Sequence, residues 1–223
     1  TGAEVSEVAN VVGSDSRLGN KFLSASPGFG GSCFQKDLLN LVYLSRFYGL
    51  NEVANYWEQV LIINNWQRKR ISKIIVQKLF GSVSSKKIVL LGFSFKPNTN
   101  DIRESSAIYI ANDLMENGAE VVIHDPKVSN NEIEKVLNFK KDISGDFNKG
   151  FWSRNSNVSE AVRLADAIVI LTEWKEYYSL DWKNIFRVMR KPAWLFDTRA
   201  VTNLSDLQVE GINYWSIGRG IRT

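Results

Sequence analysis

Residues 87–123 read KIVLLGFSFKPNTNDIRESSAIYIANDLMENGAEVVI and combine two apolar runs with a helical pattern between them. The runs at 88–91 and 119–123 are short and rich in Val, Ile and Leu, which predicts two buried β-strands. Between them, apolar residues recur at helical spacing over 105–117, and Gly118 supplies a helix-ending residue. A strand, a helix and a second strand of this length predict a βαβ unit with parallel strands.

The same alternation continues toward the C-terminus. Helical patterns at 159–164 and 182–189 precede apolar runs at 167–171 and 193–196. Apolar strands separated by helices predict a mainly parallel sheet covered on both faces, in a doubly wound, Rossmann-like α/β domain. Residues 138–157 show little periodicity and several Asn, Ser and Gly residues, so we expect a loop insertion there.

The first third of the chain has a different, all-helical pattern. Apolar spacing predicts a short helix over 4–12 and a second helix that begins near Cys33 and ends at Gly49. Asn51 is expected to cap a third helix that runs toward Phe80 and, at about 1.5 Å per residue, spans roughly 40–45 Å. A helix of that length can bridge two domains or form the seam of a dimer.

The polar residues 81–86 follow this long helix and predict a hinge. We therefore expect a central helical segment over 1–81, which includes the long connecting helix, and a C-terminal α/β domain over 86–223. A chain of 223 residues is long enough for one or two domains with a sizeable core.

Composition limits the classes of function. The formal net charge is +4, and the sequence shows neither a run of about 18 apolar residues nor a signal pattern at Thr1, so we expect a cytoplasmic protein without membrane or nucleic-acid partners. The basic run at 68–70 is short, and an exposed helix face or a small anionic ligand accounts for it. The single cysteine and the single histidine predict no disulfide and no metal site. That histidine, His124, ends a predicted strand and is expected to cap or pack.

Cys33 follows the glycine-rich turn at 28–32 and precedes an apolar helix. Backbone N–H groups at a helix N-terminus and the nearby Lys36 favour a thiolate, so Cys33 is a candidate nucleophile. Asp37 then lies on the same helix face, with the two Cβ atoms about 5–6 Å apart. Its carboxylate can activate a water that hydrolyses a thioester on the sulfur. The alternative is structural: a cysteine beside a turn, and an aspartate that complements the helix dipole.

Three basic residues follow predicted strands. Lys96 and Arg103 flank the loop after the first strand, and Arg199 follows the last one. Ligands of doubly wound sheets bind beyond the carboxyl ends of the strands, so these side chains are candidates for holding phosphate. The alternative is ion pairing with the neighbouring acids Asp101, Glu104 and Asp197.

The sequence has no complete dinucleotide-binding fingerprint. Residues 28–33 read GFGGSC and begin like the GxGxxG motif, but Cys33 stands at the third glycine. The motif also requires a preceding strand, and none is predicted there.

Eight segments resemble the UDP-glucose 6-dehydrogenase family. The densest is residues 17–44, RLGNKFLSASPGFGGSCFQKDLLNLVYL, which surrounds Cys33. The others lie at 52–57, 64–70, 92–96, 101–106, 125–127, 172–174 and 196–199, so the resemblance covers essentially the whole chain. It implies that Cys33 is the nucleophile of a sugar-nucleotide dehydrogenase.

Members of that family have an N-terminal NAD-binding domain, a central helical segment and a C-terminal UDP-binding domain, and this chain resembles the last two. The resemblance implies that UDP-glucose contacts Arg17, Phe22, Ser24, Ala25, Ser26, Pro27, Gly28, Phe29 and Gly30. It implies that the phosphate or sugar is held by Lys96 and Arg199, and that NAD approaches Cys33, Phe34, Gln35, Lys36 and Arg103. The family's counterpart of Arg17 reaches into the partner subunit's site, which implies a homodimer or a higher homo-oligomer.

The implied reaction oxidises UDP-glucose to UDP-glucuronate in two steps. Cys33 captures the sugar aldehyde as a thiohemiacetal, oxidation gives a thioester that water hydrolyses with Asp37, and two hydrides pass to two NAD molecules. The family's catalytic lysine, asparagine, threonine and glutamate would precede Thr1, so the chain alone is expected to be inactive. Ser24 and Pro97 stand where we expect lysines in animal relatives, which leaves the uridine contacts and the nucleotide preference open.

Two alternatives remain. A sibling dehydrogenase acting on GDP-mannose or a UDP-amino sugar would share these motifs, although Phe34 and Gln35 after the cysteine favour the glucose enzyme. A non-catalytic module for UDP-sugar binding or dimerisation would need neither Cys33 nor Asp37.

Overall fold

The computed structural model describes residues 2–138, 150–202 and 212–219. Within these ranges the helices are α1 (Val5–Gly13), α2 (Phe34–Phe47), α3 (Asn51–Lys78), α4 (Ser106–Glu116), α5 (Asn130–Glu134), α6 (Val158–Ala161) and α7 (Trp182–Val188), with a 3₁₀ helix at Lys175–Ser179. The strands are β1 (Lys87–Leu91), β2 (Glu120–His124), β3 (Phe151–Arg154), β4 (Ala167–Ile170), β5 (Ala193–Asp197) and β6 (Ile212–Ser216).

The six strands form one sheet in the order β3-β2-β1-β4-β5-β6, and every neighbouring pair is parallel. The sheet starts at β1 and is built outward in both directions, so the order reverses between β1 and β4. At such a switch point the loops that leave the carboxyl ends of the two strands part and open a crevice. The predicted doubly wound, parallel α/β fold is confirmed.

Each face of the sheet has its own core. Ile88 and Leu90 of β1 pack with α3 and α4, whereas Val89 and Leu91 pack on the opposite face with α6 and α7. All four side chains are fully buried, and burying each contributes about 1.5–3 kcal/mol. Burial on both faces explains why the strands are uninterrupted apolar runs.

Helix α3 joins the helical part of the chain to the sheet. It has 28 residues, a length of about 42 Å. It packs against α2, with Arg46 of α2 bonded to Glu58 in its first half, and its second half places Ile71 and Ile75 in the core on one face of the sheet. The predicted cap at Asn51 is wrong: Leu50 is the N-cap residue, without a side-chain capping bond, and Asn51 is already helical. The Leu50 carbonyl oxygen accepts the first helical bond, from the Ala54 N–H (3.0 Å), so the helix starts one residue earlier than predicted.

The predicted loop insertion at 138–157 is wrong in part, because β3 lies within it and pairs with β2. This strand is four residues long and sits at the sheet edge, where Trp152 alone is buried, so it lacks a periodic signal. Residues 139–149 of that insertion lie outside the described residues. Sequence analysis also missed β6, at the other edge, and α5, which starts with a capping box formed by Ser129 and Glu132. None of the helices in the described ranges is long and apolar enough to cross a membrane.

Candidate active site

Cys33 occupies the position that the sequence predicts, at the N-cap of α2 (φ −97°, ψ −55°). The residue is exposed, and its Sγ lies 3.6 Å from Ser32 Oγ without capping the helix. The Asp37 N–H donates to the Cys33 carbonyl oxygen (2.8 Å), so the aspartate lies one turn along the helix. Residues in this relation share a helix face, which leaves space for a water between thiol and carboxylate.

The turn before Cys33 packs so closely that glycine is required. Gly31 has φ +89°, and a Cβ there would lie 2.9 Å from the ring of Phe95. A Cβ on Gly30 would lie 2.4 Å from the Glu104 carbonyl oxygen. The Gly31 N–H donates to the Arg103 carbonyl oxygen (2.8 Å). The turn at 28–32, here called the cysteine turn, therefore packs closely against the loop between β1 and α4.

Two residues of α3 hold the same turn. Asn64 accepts from the Phe29 N–H (2.9 Å) and donates to the Phe29 carbonyl oxygen (3.1 Å). Arg68, one helical turn later, donates from Nη2 to the carbonyl oxygens of Phe29 and Glu104, both at 2.7 Å. Arg68 is 1% exposed, which corrects the expectation that the basic run at 68–70 forms an exposed face. A charged side chain is buried to this extent only when its donors are satisfied.

Arg199 follows β5 and reaches the crevice between β1 and β4. Its Nε donates to the Leu171 carbonyl oxygen (2.8 Å), and its Nη1 lies 3.2 Å from Oε2 of Glu173. Burial lowers the pKa of Arg199, and the charge of Glu173 opposes that effect. The residue pairs with Glu173 and not with Asp197, whose carboxylate accepts from the Arg199 backbone N–H.

Lys96 and Arg103 lie on the loop after β1. Lys96 is exposed, with Nζ 5.4 Å from the centre of the Phe95 ring. Arg103 is exposed and forms a two-pronged ion pair with Asp101, which is one of the expected alternatives. The hydrogen bond to Asp101 raises the pKa of Arg103, and a Cys33 thiolate adds a smaller electrostatic contribution in the same direction.

The other residues of the proposed substrate contacts are distributed more widely. Ser26 and Pro27 immediately precede the turn, where Gln67 donates to the Ser26 carbonyl oxygen (3.3 Å), and Ala25 packs against the sheet core. Arg17 is instead paired with Asp15 in the segment after α1, and Phe22 is 97% exposed. Neither side chain packs on the cysteine turn.

Asp125 connects the loops at the carboxyl ends of the strands. The sequence did not predict this role, although the segment 125–127 is one of those that resemble the family. One carboxylate oxygen accepts from the N–H groups of Phe93 and Ser94 and from Trp174 Nε1. The other accepts from the N–H groups of Lys127 and Val128. A fully buried carboxylate with five donors ties together the loops that follow β1, β2 and β4.

Comparison with known proteins places this arrangement in a family. The UDP-binding domain of the UDP-glucose/GDP-mannose dehydrogenase family matches residues 89–204, more than half of the chain, and the central domain of that family matches residues 1–66. The chain belongs to the UDP-glucose/GDP-mannose dehydrogenase family.

Its relatives include UDP-glucose 6-dehydrogenases of animals and plants. The chain is 47% identical to the Drosophila melanogaster enzyme, over 98% of this chain and 46% of that one. It is 44% identical to UDP-glucose 6-dehydrogenase 4 of Arabidopsis thaliana, over 98% of this chain and 48% of that one. A solved UDP-glucose dehydrogenase from Pyrobaculum islandicum superposes with a TM-score of 0.75 and 27% identity, over 98% of this chain and 44% of that one. The chain spans about half the length of these relatives.

Proposed function

We propose that this chain is the thiol-bearing and UDP-binding part of a UDP-glucose 6-dehydrogenase, which oxidises UDP-glucose to UDP-glucuronate. The observation that carries the proposal is the position of Cys33. An exposed thiol at a helix N-terminus, one turn before a carboxylate, is held against the loop that leaves the central strand of the sheet. The names of the relatives support the choice of substrate.

The diphosphate is assigned to the carboxyl edge of the sheet. Lys96 presents an exposed ammonium group there, and Arg199 presents a guanidinium that carbonyl oxygens and Glu173 hold in place. Charge-assisted bonds from such groups are the strong contacts that phosphate oxygens accept. The segment 24–30 would then lie along the sugar, because Cys33 follows its last residue by only three positions.

Cys33 performs the covalent steps in this proposal. Loss of a hydride from C6 and of the C6 hydroxyl proton first converts the alcohol of UDP-glucose to an aldehyde. The Cys33 thiolate adds to the aldehyde carbon, and the resulting alkoxide takes a proton to give a thiohemiacetal. Loss of a hydride from C6 and of the hydroxyl proton leaves a thioester. Asp37 then takes a proton from the water that attacks the thioester, and the thiolate leaves as the carboxylate product forms. Exposure of both residues gives water access to the carbonyl carbon.

The two-electron oxidations require an acceptor, and NAD bound beside Cys33 would accept the hydride. Phe34, Gln35 and Lys36 follow Cys33 in the first turn of α2, and Arg103 lies on the loop that bonds to the cysteine turn. The exposed side chains of Phe34, Lys36 and Arg103 would form one wall of such a site. They do not form a pyrophosphate cradle, because the described strand–helix loops lack the glycine fingerprint. We therefore propose that these residues complete a site whose main contacts come from another domain.

Exposed apolar side chains on α2 and α3 support a homo-oligomer. The large exposed side chains on these helices include Tyr43, Phe47, Ile62, Ile63 and Trp66. Exposed apolar side chains on two neighbouring helices favour a protein–protein contact. Arg17, whose exposed side chain pairs with the nearby Asp15, is compatible with a reach into the partner's site. The division into segments 1–81 and 86–223, and the cytoplasmic location, stay predictions.

Calorimetric titration of the 223-residue chain with UDP tests the substrate assignment. We expect binding, and Lys96→Ala should weaken it about tenfold because one charge-assisted bond is lost. Lys183→Ala is the matched control, since that exposed lysine lies on α7, which covers the face of the sheet opposite to α3 and α4 and is not part of the loop that carries Lys96. The chain alone should form no NADH from NAD and UDP-glucose. Absent heats, or equal affinities for the two variants, would refute the pocket, and NADH formation would refute the need for a further domain.

A further inference from the structure

We propose that Arg68 is a positioning residue that fixes the separation between the Cys33 thiol and the phosphate-binding edge of the sheet. The inference rests on the proposed function and extends it. If the diphosphate is anchored at Lys96 and Arg199, the sugar reaches the sulfur only when the cysteine turn and the β1–α4 loop hold one relative position. Arg68 is the side chain that bonds to both.

A single nitrogen of Arg68 makes the connection. Nη2 donates at 2.7 Å to the carbonyl oxygen of Phe29, four residues before the nucleophile, and at 2.7 Å to that of Glu104. Glu104 follows Arg103, whose carbonyl oxygen accepts from the Gly31 N–H (2.8 Å), two residues before the nucleophile. Because both carbonyl oxygens bond to the same nitrogen, the distance between the two backbone segments is fixed. Contacts made by several independent side chains would allow that distance to vary.

The guanidinium is itself held in one orientation. Its Cζ lies 4.1 Å from the centre of the Tyr109 ring, and Tyr109 donates its hydroxyl to Glu104 Oε2 (2.6 Å). Nε lies 3.4 Å from Ser106 Oγ, and that hydroxyl donates to the Gly28 carbonyl oxygen (3.2 Å). Planarity allows stacking and donation in the plane at the same time, which the point charge of lysine does not.

Helix α3 holds Arg68 in a fixed position relative to the sheet. Arg68 follows Asn64, which holds Phe29, by one turn and precedes Ile71 and Ile75 of the sheet core. The turn that carries the nucleophile is thus bonded to a helix that is packed beneath the sheet. A misplacement of about 1 Å between reacting groups costs on the order of a hundredfold in rate, so this rigidity has a chemical consequence.

Alkylation of Cys33 tests the inference without requiring turnover. The rate of reaction of the 223-residue chain with iodoacetamide is measured alone, with saturating UDP and with saturating UDP-glucose. In the unchanged chain we expect UDP-glucose to slow alkylation about tenfold more than UDP, because the sugar covers the sulfur. In Arg68→Met that extra protection should fall below about twofold, while both nucleotides still bind through Lys96 and Arg199. Arg68→Lys should give an intermediate value.

Controls separate positioning from a loss of folding or of binding. Lys69→Met removes the positive charge of the next residue on the same helix, whose side chain is exposed, and should keep the full protection. Near-UV circular dichroism checks that each variant is folded; if Arg68→Met is not, Asn64→Ala breaks the bond to Phe29 and should also lose the protection. Full protection in folded Arg68→Met and Arg68→Lys would overturn the positioning role alone. No extra protection by UDP-glucose in the unchanged chain would overturn the proposed function, and the inference with it.

Discussion

Substitution of Gly30 by alanine tests the close contact between the cysteine turn and the β1–α4 loop. The new Cβ would lie 2.4 Å from the Glu104 carbonyl oxygen, 3.0 Å from its carbonyl carbon and 3.1 Å from Phe95 Cβ, whereas ordinary contacts are 3.4–4 Å. Two of the three atoms belong to the backbone, so a side-chain rotation cannot relieve the contact. The two segments must separate by about 1 Å, a displacement that breaks hydrogen bonds of normal length.

The cost follows from the contacts that this displacement removes. The Gly31 N–H to Arg103 bond and one of the two Arg68 Nη2 bonds would be lost, at about 1 kcal/mol each. Residual overpacking adds about 1–2 kcal/mol, so we expect Gly30→Ala to lower the free energy of unfolding by about 3–4 kcal/mol. For a chain of this size that lowers the melting temperature by roughly 6–16 °C.

Thermal unfolding of matched variants measures this cost. Gly49→Ala is the control: its backbone has φ +73°, and a Cβ there meets nothing within 4 Å, so only the strain of about 1 kcal/mol remains. The reasoning is refuted if Gly30→Ala melts at the same temperature as Gly49→Ala or above it.

Two further outcomes follow from the site and from the core. In an enzyme that includes the NAD-binding domain, Cys33→Ser should abolish complete oxidation while UDP-glucose still binds, because a serine hydroxyl is far harder to ionise than a thiol; turnover within about tenfold of the parent would remove Cys33 from its role. Burial lowers the pKa of His124 in the folded chain, and the charge of Glu176 opposes that effect. Below about pH 6.5 the unfolded chain therefore binds the proton more readily than the folded chain, so the free energy of unfolding falls as the pH decreases. Urea unfolding between about pH 5 and about pH 7.5, on the order of one unit either side of that value, measures this decline. The free energy of unfolding should decline less for His124→Asn than for the unchanged chain, and equal declines would contradict this account.

Much of the fold is visible in the sequence because its strands are buried on both faces. Ile88, Val89, Leu90 and Leu91 are all apolar, so β1 is a continuous run. The edge strands β3 and β6 have half-buried residues and fewer apolar positions, and their pairing is determined by the neighbouring strands. Local pattern carries no information on that pairing, which is why both were missed.

The candidate site divides in the same way. The position of Cys33 at a helix N-terminus, with Asp37 one turn later, depends on neighbours in the sequence and was predicted. The burial of Arg68 depends on two loops that are far from it along the chain, Phe29 and Glu104 being 39 and 36 residues away. Lys69 beside it is exposed and Arg70 is half-buried, so the pattern of the run at 68–70 gives no sign that its first member is enclosed.

The central claim, that Cys33 carries the substrate as a thioester which Asp37 helps to hydrolyse, is tested by mass spectrometry. The Asp37→Asn variant of an enzyme with its NAD-binding domain is supplied with UDP-glucose and NAD, quenched in acid and digested. We predict a UDP-glucuronyl adduct on the peptide that contains Cys33, because the base needed only for water attack is gone while thioester formation continues. No adduct on that peptide, together with equal slowing of both oxidation steps, would contradict the claim.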